Sequence, residues 1–139
     1  MTDLLIKDYI LISDVKNMNF SKLYSHLDSL NAVQSYVFDV VYKTDENVII
    51  GAPTGSGKTY AAEFALLRLF ETTQKQKAIY IAPLKALTQE RYNDWKERFD
   101  NLLGYRVEEL TGDVNPDKLV IESSSIIITT PEKWDGITR

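Results

Sequence analysis

Nine residues in this chain have the types and spacing to hold a polyphosphate: Gly51-Ala52-Pro53-Thr54-Gly55-Ser56-Gly57-Lys58-Thr59. Ala52 fills the first position of the phosphate-loop pattern, which opens with glycine or alanine, and Gly57, Lys58 and Thr59 close it. Gly55 and Gly57 let the backbone curl tightly and bring bare N–H groups within reach of phosphate oxygens. A helix following the loop adds its unpaired N-terminal N–H groups and the positive end of its dipole. Lys58 is expected to reach the β- and γ-phosphates, and the Thr59 hydroxyl to coordinate Mg²⁺. The competing reading is a glycine-rich turn with a solvated lysine. Average residue frequencies make a chance match about one in a hundred in a chain of this length. The apolar run Val48–Ile50 before the loop and the helical pattern after it lower that further.

The flanking elements must aim this loop. Val48–Ile50, Ala78–Ala82, Val107–Leu110 and Ile126–Thr129 read as strands. Val48–Ile50 and Ile126–Ile128 are continuously apolar, as in strands covered on both faces of a parallel sheet. Helical spacing runs through Thr59–Phe70, with Ala62, Phe64, Ala65, Leu66, Leu69 and Phe70 mostly inward. In Leu84–Phe99 the residues Leu84, Leu87, Tyr92, Trp95 and Phe99 fall near one stripe, with Asp94 and Arg98 spaced for an outer i,i+4 pair. Pro116–Glu122 reads as a short helix, and Asn31–Tyr42 as another. Ser21–Leu30 reads as a helix capped by Ser21. Strands alternating with helices predict a parallel α/β sheet with right-handed crossovers.

Composition narrows the class without naming it. The 139 residues fit one domain, and a hydrophobic share of 44% with a charged share of 26% is ordinary for a globular chain. No apolar run nears the roughly 20 residues of a membrane span. Met1–Ile12 alternates acid, base and aliphatic, unlike a signal peptide. The absence of cysteine removes disulfides and thiolate metal sites, in keeping with a reducing compartment. A net charge of −4 argues against a broad cationic surface for duplex, but not against a narrow groove of amides and hydroxyls.

Five segments, in order, carry a resemblance: Leu30-Asn31-Ala32-Val33-Gln34, Ala52–Thr59, Ala82-Pro83-Leu84-Lys85-Ala86-Leu87, Glu109-Leu110-Thr111-Gly112-Asp113, and Thr129-Thr130-Pro131-Glu132-Lys133-Trp134-Asp135. With them, Leu30–Arg139 resembles the first RecA-like domain of superfamily-two helicases, in particular the Ski-type group with large tandem-cassette members. The resemblance implies residues 1–20 as an N-terminal arm and 21–139 as the N-terminal part of RecA-like domain 1, a three-layer parallel sheet of phosphate-loop type, here incomplete. It implies ATP and Mg²⁺ as cofactors. Gln34 then matches the adenine-reading glutamine, whose carboxamide accepts from the exocyclic amine and donates to N7; read alone, it is a glutamine at a helix start. Pro83, Leu84 and Lys85, then Thr111 and Gly112, then Thr130, Pro131 and Glu132, match segments bordering a nucleic-acid groove. There amides, hydroxyls and one lysine meet phosphate and sugar rather than bases. Read alone, Leu84 and Leu87 are core, Lys85 is solvated, Thr111-Gly112-Asp113 is a turn, and Pro131 is the first residue of a helix. Leu87 is expected to stay core in either case. Trp134 is read as packed against the sheet rather than stacking on a base, and His26 as a surface residue.

The resemblance also marks an absence. The family's Asp-Glu-x-His run, whose Asp holds Mg²⁺ and whose Glu orients water, is expected beyond Arg139, as is the second RecA-like domain with its arginine finger. Asp45-Glu46-Asn47-Val48 precedes the phosphate loop and reads as the loop into the first strand. The expected activity is 3′-to-5′ translocation along a single strand driven by ATP, with RNA ahead of DNA. Residues 1–139 by themselves are expected to be inactive. The expected partners are the rest of the helicase cassette and a larger ribonucleoprotein or coactivator complex, in nucleus or cytoplasm, with no membrane. An unpaired Val48–Ile50 edge would favour self-association of these residues, or closure onto Ile79–Ile81. The alternatives are a nucleotide-binding scaffold or a degenerate cassette. A GTPase would need an Asn-Lys-x-Asp motif, which this sequence does not contain.

Overall fold

A computed structural model describes residues 9–45, 47–48, 56–73, 76–112 and 118–138. Residues 49–55 and 113–117 lie outside them. The expected strand Val48–Ile50 and its pairing therefore fall there too. The chain divides into two compact units, Met1–Gln74 and Lys75–Arg139.

The described residues of the first unit form helices. A 3-10 turn at Ile12–Asp14 leads to α1 (Met18–Leu23), then α2 (Ala32–Val41) and the long α3 (Ser56–Thr72). The expected helix Ser21–Leu30 is corrected: it starts earlier and ends at Leu23. Asn17, in extended backbone, accepts the Phe20 N–H at 3.1 Å and so is the cap that Ser21 was expected to be. Starting there buries Phe20 and Leu23. Phe20 then packs edge-on against Tyr24 at 4.8 Å and Phe38 at 5.3 Å, and Phe38 against Phe64 at 5.2 Å. This ring cluster seats α2 on α3, and losing one such ring to alanine typically costs about 3–5 kcal/mol. Within the core the Tyr24 hydroxyl donates to the buried Glu63 carboxylate at 2.8 Å, satisfying a group that would be costly to bury bare. Asn17 also donates to the Tyr42 hydroxyl at 3.0 Å and the Glu71 carboxylate at 3.2 Å. Burial and the Glu71 carboxylate raise the Tyr42 phenol above its ordinary range. On another face of α3, Ala61, Ala62, Ala65 and Leu69 line a cleft of about 490 Å³ with Val41 and Val48. Ala65 is thus solvent-facing rather than core as its spacing predicts.

The second unit is a three-stranded parallel sheet with helices. Its strands are β1 (Ala78–Ile81), β2 (Val107–Leu110) and β3 (Ile126–Thr129), in the order β1-β3-β2. The sequence-based strand limits hold to within a residue. All four residues of β3 are buried, as a continuously apolar run in a central strand requires. Between β1 and β2 run α4 (Lys85–Trp95) and a π-helical continuation over Lys96–Leu102. Trp95 and Phe99 are fully buried and meet edge-on at 5.5 Å. The expected pair of Arg98 with Asp94 forms at 3.1 Å, and Arg91 joins it at 2.7 Å. Gly104, at φ +86°, ends the helix: its N–H and that of Tyr105 close on the carbonyls of Asp100 and Phe99. The short helix α5 (Lys118–Ser123) and the final α6 (Pro131–Thr138) flank β3 in sequence. Among the described residues no helix is long and apolar enough to cross a membrane.

Asp100 ties the π-helical segment to the sheet. It accepts from the Lys96 ammonium at 2.7 Å and from the Val107 N–H at the start of β2 at 3.0 Å. Burial opposes its ionisation, but these two donors outweigh it, so its carboxyl titrates below the ordinary range. A depressed carboxyl contributes stability that is present above its unfolded pKa of about 3.9 and lost as pH falls through the folded value. Asp100→Asn should lower stability near neutrality by about 1–2 kcal/mol. Urea unfolding across pH 3–6 should show a smaller loss on acidification in the variant than in the wild type; parallel curves would remove Asp100 from this role.

Candidate nucleotide and nucleic-acid sites

In the first unit, α3 begins at Ser56, so Ser56, Gly57, Lys58 and Thr59 form its first turn, directly after the glycine-rich loop. The backbone N–H groups of a first helical turn have no carbonyl one turn earlier in the helix to bond. Lys58 is exposed there and Thr59 half-buried. The turn is held from behind by Phe64 in the ring cluster and by Glu63 on Tyr24. An exposed cation, a neighbouring hydroxyl and the turn's amides fit a polyphosphate with its Mg²⁺. Ala52, Pro53, Thr54 and Gly55 lie outside the described residues.

Gln34 is the third residue of α2, which packs on α3. Its side chain closes a capping box with Asn31. The Asn31 side chain accepts the Gln34 N–H at 2.8 Å, and the Gln34 Oε1 accepts the Asn31 N–H at 2.9 Å. The backbone just ahead is pinned to the N-terminal arm. Ile10 donates to the Ser35 hydroxyl at 3.0 Å, Leu30 donates to the Ile10 carbonyl at 2.8 Å, and Leu11 bridges Ser29. Thus Gln34 is structural as well as half-exposed; the Asn-x-x-Gln spacing was the available signal for the box.

Asp45 pairs with Arg68 of α3 at 2.7 Å, and the guanidinium holds its carboxyl below the ordinary range. Glu46 lies outside the described residues. Among the described residues no group of three His, Asp or Glu side chains is placed to share a metal ion.

In the second unit the parallel register brings three expected groove segments to one end of the sheet. Ile81, Thr129 and Leu110 are aligned partners at the C-terminal ends of β1, β3 and β2. Pro83, Leu84 and Lys85 leave the first of these ends, Thr130, Pro131 and Glu132 the second, and Thr111 and Gly112 the third. The Thr129 hydroxyl donates to the Leu110 carbonyl at 2.6 Å, and the Ala82 N–H to the Thr129 carbonyl at 3.0 Å, which ties the three ends together. Pro83, Leu84, Lys85, Gly112, Pro131 and Glu132 are exposed, while Thr111 and Thr130 are half-buried. Leu84 caps α4 in extended backbone, and Pro131 opens α6. Gly112 turns with φ +82°, where a side chain would strain the backbone.

Two expectations about apolar residues are corrected here. Leu87, expected to stay core, is 42% exposed, and Leu84, at 61%, is not the core residue that its spacing read alone suggests. Leu84 is the cap residue and Leu87 lies in the first turn of α4, whose buried residues are Thr88 and Trp95. The buried contact at that helix start is instead Thr88, which donates to Glu109 of β2 at 2.8 Å. Trp134 is half-buried on α6, which buries none of its residues fully, so it is less enclosed than expected. His26 is exposed, as expected.

Comparison with known proteins agrees with this geometry. The DEAD/DEAH box helicase family matches residues 31–139. Activating signal cointegrator 1 complex subunit 3 is 48% identical in Gallus gallus, over 99% of this chain, and 57% identical in Homo sapiens, over 78%. An Arabidopsis thaliana protein described as the DExH-box ATP-dependent RNA helicase DExH13 is 44% identical over 99%. The chain spans about a twentieth of these relatives, 6% of the chicken and plant proteins and 5% of the human one. Among solved structures, the DUF1998 helicase MrfA bound to DNA and AMPPNP superposes with a TM-score of 0.74 at 25% identity, over 90% of this chain and 18% of that one. The fold is thus RecA-like, and the chain belongs to the DEAD/DEAH box helicase family.

Proposed function

We propose that this chain is the ATP-holding part of an ATP-dependent helicase that translocates along a single nucleic-acid strand. The observation that carries the reading is the placement of Lys58 and Thr59 in the exposed first turn of α3, immediately after a complete phosphate-loop sequence. The amides of that turn and Lys58 would hold the β- and γ-phosphates, Thr59 would hold Mg²⁺, and Gln34 would read adenine. Bound Mg²⁺ neutralises charge developing on the phosphates. What this chain itself does is bind and orient. Its sequence contains no Asp-Glu-x-His run to place the attacking water.

The strand would lie along the aligned ends of β1, β3 and β2, where the exposed segments meet phosphate and sugar without reading sequence. Backbone amides, the half-buried Thr111 and Thr130 and the exposed cation Lys85 suit such contacts in a chain of net charge −4. RNA is favoured over DNA because the plant relative, described as an RNA helicase, is 44% identical, against 25% for DNA-bound MrfA. Assembly into a larger complex is favoured by the name of the relatives at 48% and 57% identity.

Three outcomes are expected. Lys58→Ala should weaken ADP binding at least tenfold, about 1.4 kcal/mol; equal affinity in a titration of labelled ADP would sink the assignment. Residues 1–139 alone should show no ATP turnover with or without RNA, and stimulated release of phosphate would overturn the expected dependence on residues this sequence lacks. In the full-length protein, Lys85→Ala should weaken binding about equally for all RNA sequences and reduce the salt slope by about 1. A sequence-selective loss, or no change in slope, would take Lys85 off the backbone.

A further inference from the structure

The capping box that opens α2 does more than end a helix. A backbone N–H can only donate, so the bond from Asn31 N–H at 2.9 Å dictates which end of the Gln34 carboxamide faces the cap: it must be the oxygen. The amide NH₂ is thereby turned the other way. The Oε1 atom keeps a second lone pair, so it can accept once more. Asn31 reinforces this from its other end by accepting the Gln34 N–H at 2.8 Å, which holds the two residues in one geometry. The backbone entering the box is fixed in turn. Ser35 accepts the Ile10 N–H at 3.0 Å and donates to the Leu30 carbonyl at 3.4 Å, and Leu30 is fully buried.

A carboxamide locked in this sense presents an acceptor and a donor in a set order. Adenine offers the complement, an exocyclic amine beside an acceptor nitrogen, whereas guanine offers two acceptors. A glutamine free to rotate about its last bond can turn its NH₂ toward the guanine carbonyl; one whose oxygen is held at the cap cannot. We infer that Asn31 is a positioning residue for base selection, which acts by locking the orientation of the Gln34 carboxamide through the capping box. The inference rests on the adenine reading of Gln34 proposed above.

The test compares Asn31→Ala, Asn31→Asp and Gln34→Ala in the full-length protein, with kcat/KM for ATP and for GTP as the readout. A merely structural cap lowers both values together, so the ratio separates the two roles. Asn31→Ala keeps the backbone N–H on Oε1 but loses the reciprocal bond to the Gln34 N–H, and loss of an N-cap typically shifts the helix equilibrium by about fivefold. Asn31→Ala should therefore cut the preference for ATP by about that factor. Asn31→Asp, which still accepts the Gln34 N–H, should restore the preference. An unchanged ratio in Asn31→Ala, with thermal stability lowered, overturns the inference. If Gln34→Ala nonetheless loses the preference, the adenine reading survives that failure; if Gln34→Ala also keeps it, the adenine reading falls as well.

Discussion

β3 has a hydrogen-bonded strand on each side and no exposed residue, and this constraint organises the second unit. Ile126, Ile127 and Ile128 can be buried together only if both faces of the sheet are covered, which demands helices and hence parallel crossovers. Parallel pairing in register then forces the ends of all three strands to one side. The exposed segments around Lys85, Thr111 and Thr130 share an edge because three isoleucines in a row need to be dry. A site that contacts a uniform phosphate backbone gains from such an arrangement, since regular strand ends present regular amides and hydroxyls.

The first unit answers a different requirement, that of holding the first turn of α3, with Lys58 and Thr59, on a packed support. The rings of Phe20, Tyr24, Phe38 and Phe64 lock α1, α2 and α3 together, and the hydroxyl of Tyr24 donates to the buried Glu63 carboxylate. Lys58 stands at the free end of that assembly and Gln34 at the free end of the next helix. Both groups proposed to meet nucleotide lie in the first turns of helices, and at α2 the capping side chain of Asn31 sets the geometry.

Much of this was legible from local pattern. The strands β2 and β3, the start of α2 at Asn31 and the Asp94–Arg98 pair follow from apolar runs, cap residues and i,i+4 spacing. Where reading failed, the deciding interaction was distant. Asn17 and Ser21 are both good caps, and what chooses between them is the burial of Phe20 against Phe38 and Phe64. Leu84 and Leu87 carry core spacing, but the residue buried at the start of α4 is Thr88, bonded to Glu109 of β2. The Tyr24–Glu63 bond joins residues 39 apart, and Asp100 reaches across a turn to Val107; neither pairing leaves a local signature. The described residues of the motif segments, by contrast, sit at element ends, where residue type and local geometry coincide.

The central claim is that the start of α3 and the carboxamide of Gln34 form one nucleotide-reading surface. Its most direct test is a titration of the isotope-labelled chain with Mg²⁺–ADP followed by amide NMR. The account predicts the largest shifts at the backbone amides of Ser56–Thr59, accompanied by the side-chain NH₂ of Gln34, with GDP moving the former and leaving the latter in place. Shifts confined to other residues, or a Gln34 side chain indifferent to both nucleotides, would contradict it.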